Sequence, residues 1–327
     1  MDGFFGSYRV ILAPMAGVTD APFRALCRAA GADLAFCEMV SAKGLSYANE
    51  RTRHLIDRSD GEDSVGVQLF GHEPLVMARE AAWVEEELQE ALAYIDINMG
   101  CPARKIVSKG DGCALMRNPS LAGRIVSEVK RAVSCHVTAK FRRGWSAVAE
   151  TAPDFARKLE EAGVDAVTVH GRFADQLYRG SADWGVVARV KDCVSVPVVG
   201  NGDVRSGADA CALVERTDCD AIMIARAAEG NPWIFSQVQA ALDGRPEPAP
   251  PTEAERIEMA RTHARMLDAA DRHQLVRMRK HAMWYVCGLP GAAKARGLLS
   301  TCSTLEEFEA VFDLLEQQMS RCPRGGK

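Results

Sequence analysis

Residues 93–105 read AYIDINMGCPARK, and the change of character within this stretch decides the expected fold. Ala93, Tyr94, Ile95 and Ile97 form an apolar run that stops at Asn98-Met99-Gly100, with Cys101 and Pro102 directly after. An apolar run closed by a Gly-Cys-Pro turn predicts a strand whose tip carries a thiol, where loops commonly carry chemistry. Arg104 and Lys105 then place positive charge beside that tip.

The same unit repeats in both directions. Strands are predicted over Val10–Ala13, Leu34–Glu38, Val65–Leu69, Ile95–Asn98, Val137–Phe141, Ala166–His170, Pro197–Gly200 and Ala221–Ala225. Helical patterns lie between them, over Ala78–Ala91, Leu121–Ala132, Pro153–Ala162 and Ala208–Glu215. Eight strands in β-α alternation predict an α/β fold, a (β/α)8 TIM barrel; an open doubly wound sheet is the other arrangement compatible with the alternation. DGRPEPAPPTEAER (243–256) has neither period and reads as a Pro-rich linker, after which only helical periodicity continues. The expected division is a barrel over 1–242, a linker over 243–252 and a C-terminal all-α helical domain over 253–327. A chain of 327 residues holds a barrel of about 250 residues with such an appendage.

Hydrophobic residues make up 47% of the chain, but no apolar run approaches the roughly 20 residues of a membrane span. Met1-Asp2-Gly3-Phe4 lacks the basic and apolar regions of a signal peptide. The eleven cysteines are odd in number and contain no Cys-x-x-Cys pair, which speaks against disulfides or a zinc site. The expectation is a cytoplasmic, metal-free protein. Net charge is −4, which excludes a uniformly basic nucleic-acid binder, yet the charge is uneven. Residues 1–250 hold 28 basic and 34 acidic side chains, whereas 256–296 hold nine basic and three acidic. The basic segment reads either as the footprint of a polyanionic partner or as a solvated helical face.

Barrel enzymes build their sites at the C-terminal ends of the strands. Here those ends carry APMAGVTD, Gln68, Asn98 with Cys101, Lys140 with Arg142 and Arg143, His170-Gly171-Arg172, GNGDV and ARAAEGNPW. Each group alone has an ordinary reading. Lys140 is an ion-pair partner of Asp96 or Asp203, or a Schiff-base lysine; His170 is an interior histidine; Gln68 caps a strand; Cys101 is a small buried residue. GNGDVRSG has the wrong spacing and position for a dinucleotide fingerprint. Taken together, Gly200, Gly202 and Gly230 around Arg226 suit a phosphate, and the lysine and amides suit a flavin ring, so the mouth reads as a site for FMN.

LAPMAGVTDAPFRALC (12–27), DINMGCPARK (96–105), AKFRRGW (139–145), HGRFADQLYRGSADW (170–184), VVGNGDV (198–204), ARAAEGNPWIF (225–235) and RKHAMWY (279–285) occur in an order and spacing that resembles the tRNA-dihydrouridine synthases, most closely their bacterial B-type branch. The resemblance implies an FMN-bearing barrel with an RNA-binding helical domain, reducing the C5=C6 bond of particular tRNA uridines with NADPH. It implies that Pro14, Met15 and Ala16 line the flavin, with Gln68 and Lys140 on its ring. His170, Asn201, Gly202 and Asp203 would hold the ribityl and phosphate groups, and Ala225 with Arg226 would complete the phosphate cup. Cys101 would be the proton donor and Asn98 would touch the target base. Arg104, Lys105, Lys109, Arg142, Arg143, Arg172 and Arg179 would ring the mouth, and Arg277 and Lys280 would bind RNA from the helical domain. An un-ionised thiol, with an ordinary pKa of about 8.5, is a competent general acid at neutral pH. The chain departs from the family at Ala225, where glycine is usual, and at Phe173 and Ala174, where Thr and a polar residue are commoner. The helical domain matches only around 277–285. A monomer is expected. Two other readings share these tips: a flavin barrel acting on a small molecule, of dihydroorotate or enoate type, and a non-catalytic tRNA-binding protein.

Overall fold

The computed structural model describes residues 8–270 and 272–321; Met1–Phe4, Asp271 and Cys322 lie outside the described residues. Its strands are β1 (Val10–Leu12), β2 (Leu34–Ala35), β3 (Val40–Ser41), β4 (Val65–Phe70), β5 (Leu92–Met99), β6 (Val137–Gly144), β7 (Ala166–Phe173), β8 (Val198–Asn201) and β9 (Ala221–Ile224). All neighbours are parallel, in the order β2-β1-β9-β8-β7-β6-β5-β4-β3. β2 is the start of the second predicted strand, Leu34–Glu38, and β3 lies just beyond its end. Phe36 bridges to Gly66, and the Cys37 N–H donates to Gly66 O at 3.0 Å, so the two ends of the order meet and the eight-fold barrel closes. Gly66 makes room for this closure: a Cβ there would lie 2.6 Å from the Phe36 ring.

Side chains alternate along each strand, and the inward set changes character with height. Low in the barrel it is apolar, with Ile11, Leu34, Phe36, Tyr94, Ala166, Val199 and Ala221 in one packed cluster. Toward the C-terminal ends the same alternation presents Gln68, Asp96, Asn98, Thr138, Thr168, His170 and Asn201, all buried. The outward set packs on the helices in a separate large core. Local caps start those helices where the sequence turns polar. Asp20 accepts from the Phe23 N–H ahead of the helix Ala21–Ala29, and Asn118 and Ser206 cap Pro119–Ala132 and Gly207–Thr217 in the same way.

The last four residues of the stretch 243–256 are helical. Thr252 and Glu255 form a capping box, with the Thr252 N–H donating to Glu255 at 2.7 Å and the Glu255 N–H to Thr252 at 3.2 Å, so the helix Glu253–Ala270 begins there. This helix, with Met278–Tyr285, Ala292–Leu299 and Leu305–Arg321, encloses a second apolar core that includes Ile257, Leu267, Tyr285, Phe308 and Phe312. It approaches the barrel closely beside β1 and β9: a Cβ on Gly230 would lie 2.6 Å from the Trp284 backbone, and one on Gly17 would lie 3.3 Å from Lys280 Nζ. Among the described residues, no helix is long and apolar enough to cross a membrane.

Candidate active site

The quoted strand is β5, and its upper half anchors a chain of hydrogen bonds that ends at Cys101. Thr138 Oγ1 donates to Asp96 at 2.7 Å, and Gln68 Nε2 donates to the other Asp96 oxygen at 2.6 Å. This fixes which way the Gln68 amide faces. Its Oε1 accepts from Asn98 Nδ2 at 2.6 Å, which turns the Asn98 carbonyl toward the loop. Asn98 Oδ1 then accepts the backbone N–H groups of Gly100 at 3.2 Å and Cys101 at 2.9 Å. The other side of the loop is held by Cys113, whose N–H donates to Cys101 O at 3.0 Å. Gly112 allows that approach, because it adopts φ +59° and a Cβ there would lie 2.6 Å from Cys101 O. Asn98 is 7% exposed, so in this structure it clamps the cysteine loop from within.

Burial pushes the Cys101 thiol above its usual range, while the Ala103 N–H and the charges of Arg142, Lys140 and Lys105 pull the other way. The thiol is therefore protonated at neutral pH and lies in a field that favours its anion once the proton leaves. Asp96 is raised to about 6 by burial, against the hydrogen bonds of Thr138 and Gln68 and the charge of Lys140. Lys140, paired in register with Asn98, is lowered to about 8 by burial and by Arg142. Among the described residues no ion pair to the Lys140 ammonium is formed, neither with Asp96 nor with Asp203.

Farther round the mouth, His170, Tyr178, Asn201, Gly202, Asp203, Ala225 and Arg226 line a cavity of about 280 Å³. Gly202 has φ +117°, and a Cβ there would lie 2.9 Å from His170, so only glycine leaves the cup open. Asp203 gathers three guanidinium groups, at 2.7 Å from Arg172, 3.2 Å from Arg226 and 3.5 Å from Arg205. Burial and the charges of Lys140, Arg142, Arg172 and Arg226 hold His170 well below its usual pKa, so its imidazole is neutral. A neutral donor ring beside three guanidinium groups that share one carboxylate, over an open glycine cradle, fits a phosphate group. Met15 and Pro14 are half-buried and Ala16 is exposed at the tip of β1. Ala225, where glycine is usual, has φ −120° and ψ −102°, outside both the helical and the extended regions.

Several basic residues are not the free charges expected of them. Arg142 is 2% exposed and donates to the carbonyls of Gly100 (3.0 Å), Phe173 (3.0 Å) and Leu177 (2.8 Å). Arg172 is 1% exposed and bonds Asp203 with both carboxylate oxygens in reach. Arg143 pairs with Glu150 at 2.6 Å and Asp183 at 3.2 Å. These three build the loops of the mouth, while Arg104, Lys105, Lys109 and Arg179 are exposed around it. Phe173 and Ala174 are buried. In the helical unit, Arg277 pairs with Glu38, whose carboxylate also accepts the Gly17 N–H, and Lys280 lies over the Trp284 ring. Glu38 lies in the break between β2 and β3. Asp96, Thr138 and Tyr178 belong to the site although sequence reasoning does not place them there. Asp96 carries a signal, since it alternates with Asn98 in the same strand; Tyr178 carries none. It is exposed, with the Arg142 and Arg226 guanidinium groups 5.6 and 4.9 Å from its ring.

A sequence-family model described as "Dihydrouridine synthase (Dus)" matches residues 11–321. The chain is 39% identical over 313 residues to a protein of Xanthomonas campestris pv. campestris named tRNA-dihydrouridine synthase B, covering 94% of this chain and 93% of that one. It is 40% identical over 317 residues to the protein of that name from Pseudomonas aeruginosa, covering 96% and 90%. Among solved structures, histamine dehydrogenase from Rhizobium sp. 4-9 superposes with a TM-score of 0.51 at 14% identity, over 79% of this chain and 49% of that one, a likeness of fold.

Proposed function

The chain belongs to the dihydrouridine synthase family, and from that membership we propose that it is an FMN-dependent tRNA-dihydrouridine synthase working with NADPH. The observation that carries this reading is the placing of one protonated, half-buried thiol, Cys101, in the same mouth as an unpaired ammonium and a phosphate-shaped cup. His170, Asn201, Gly202, Ala225 and Arg226 would hold the flavin phosphate and ribityl chain, Asp203 would aim the guanidinium groups, and Pro14, Met15, Ala16, Gln68 and Lys140 would border the ring. The chemistry FMN supplies when bound is hydride transfer from NADPH to C6 of a uracil. Cys101 does the complementary step: its S–H gives a proton to C5 as the C5=C6 double bond becomes single, and the thiolate regains a proton from solvent. Arg142 and Lys140 stabilise that thiolate while it exists. Gln68 spends one N–H on Asp96 and keeps the second for the occupant of the mouth.

A uridine in tRNA must leave its stack to reach a barrel mouth, which single-stranded loops permit cheaply. The exposed Arg104, Lys105, Lys109 and Arg179 would meet the surrounding phosphates. The domain division follows the two apolar cores, with 243–252 between them, and a cytoplasmic monomer is the proposed working form. A small-molecule substrate would give the helical unit, docked against the mouth through Arg277 and Lys280, nothing to do. The deciding experiment is to delete the gene, map dihydrouridine in the tRNA, and treat that tRNA with the purified protein and NADPH. Loss and restoration of dihydrouridine at the same positions is expected; unmodified tRNA after treatment with flavin-loaded protein overturns the reading.

A further inference from the structure

Where the barrel meets the helical unit, three buried side chains converge with most of their polar atoms unpartnered among the described residues. Asp20 caps the helix Ala21–Ala29 through one oxygen, which accepts the Phe23 N–H at 3.0 Å. His263, on the helix Glu253–Ala270, brings Nε2 to 3.6 Å from that oxygen, and His281, on Met278–Tyr285, brings Nε2 to 3.4 Å from the other. One donor atom from each of the three lies within 4.8 Å of the others. Both imidazoles are 0% exposed, and Asp20 Oδ2, His263 Nε2 and both nitrogens of His281 have no hydrogen-bond partner among the described residues. Buried polar atoms are rarely left so, because each forfeits its water without recompense.

We propose that Asp20, His263 and His281 form a site for a divalent transition metal of the zinc class, joining the barrel to the helical unit. Two imidazoles and a carboxylate are a donor set that zinc accepts, and bonds of about 2.0–2.1 Å set ligand atoms about 3.3 Å apart in a tetrahedron. His281 Nε2 lies 3.4 Å from Asp20 Oδ2, close to that edge, while the 3.6 Å from His263 Nε2 runs to Oδ1. One donor atom from each of the three falls within 4.8 Å of the others, so binding draws the ligands together by about 1 Å or less. Support around the ligands is of the kind such sites need. The Tyr285 hydroxyl lies 3.3 Å from His263 Nδ1, which orients that ring, and Phe23 packs against both imidazoles with centroids 5.7 and 5.0 Å away. Asp20, though not the two imidazoles, also borders a groove of about 1200 Å³ between the two units. The expectation of no metal rests on the lack of a Cys-x-x-Cys pair; an aspartate and two histidines drawn from both ends of the chain escape that test.

The site is tested on tag-free, full-length protein purified without chelator. Elemental analysis should find about one zinc per chain, and stripping it should lower the Tm, with Zn2+ or Co2+ restoring it. Stripped protein loaded with Co2+ should take on the visible absorption of a tetrahedral site. His281→Gln and Asp20→Asn should each lose the metal and the Co2+ spectrum. If these variants do not fold, the Co2+ titration of stripped wild type decides alone. Protein that holds no metal and whose Tm ignores added Zn2+ and Co2+ overturns the proposal. So does a variant that keeps the metal. Neither readout depends on activity, so failure here leaves the proposed reaction standing.

Discussion

Asn98 Oδ1 accepts the backbone N–H of Cys101 at 2.9 Å, so the side chain expected to touch a target base also holds the reactive loop. The two roles separate kinetically. Asn98→Ala frees the loop, and misplacing a reacting group by about 1 Å can cost about 10²-fold in rate. The expected result is a fall in kcat of that order with flavin content and tRNA affinity retained. A raised KM with unchanged kcat would instead mean that Asn98 binds the base.

Lys140 supplies the pH prediction. Burial and Arg142 lower it to about 8, against an ordinary value near 10.5. For stability the sign follows from the lowered value: the folded chain loses this proton first, so the group's contribution improves as pH rises from about 8 toward 10.5. For binding the sign is opposite, since the charge is what an anionic ligand uses. The affinity of stripped protein for FMN should fall as pH rises past about 8, and Lys140→Met should flatten that limb. Titrations of flavin fluorescence quenching at several pH values measure both; an equally steep limb in Lys140→Met would assign it to another group.

Arg226 is the accessible member of the pair that bonds Asp203 most closely with it, its side chain 45% exposed against 1% for Arg172. Removing it should leave the fold intact and take away one charge-assisted phosphate interaction, worth about 1.5–3 kcal/mol, or roughly 10–100-fold in affinity. Arg226→Ala should therefore purify with reduced FMN at an unchanged Tm of the stripped protein. Full occupancy in the variant, or FAD found by mass spectrometry of the released cofactor, would refute the assigned cup.

The barrel is legible in the sequence because period-2 alternation and strand-end composition are local. Tyr94, Asp96 and Asn98 occupy successive inward positions of one strand, and their change from apolar to polar follows the height of the barrel. Pairings across the chain are not legible. Arg261 belongs to the basic stretch, yet it bonds Glu309, Asp313 at 2.6 Å and Glu316 at 2.7 Å on the last helix. Arg265 reaches Glu309 too, Arg256 and Arg279 donate to backbone carbonyls, and Arg277 takes Glu38. A window of charges carries no record of partners outside it. Arg142 and Arg172 mislead for the same reason, since a basic residue after a strand can as well knit its own loop together.

Those pairings change which charges should matter for RNA. Arg104 and Lys105 are exposed on the short helix Arg104–Val107 directly after Cys101. Reversing both should weaken tRNA binding and reduce the log–log salt slope by roughly 0.7–0.9 for each phosphate no longer neutralised, with Tm unchanged. Arg277→Glu should act chiefly on stability, because it sets two carboxylates together and removes a half-buried charged hydrogen bond worth about 2 kcal/mol. Binding isotherms across a salt series, beside thermal melts, separate the two. A drop in tRNA affinity in Arg277→Glu at constant Tm would return Arg277 to the RNA surface.

Cys101 is the residue on which the reaction is staked. Its thiol is kept protonated by burial, its loop is fixed through Asn98 on one side and Cys113 on the other, and Lys140 and Arg142 lie near to stabilise the thiolate. The proposed reaction gives the thiol no part in holding a flavin phosphate or in meeting NADPH. Cys101→Ala should accordingly retain FMN, tRNA binding and reduction by NADPH, and lose dihydrouridine formation by the roughly 10²–10⁴-fold typical of a missing general acid. Serine should recover little, because a hydroxyl gives up its proton far less readily than a thiol. Single-turnover mixing of the reduced protein with tRNA reads the step directly. Wild-type rates of flavin reoxidation by tRNA in Cys101→Ala would make this cysteine a packing residue at the end of its strand.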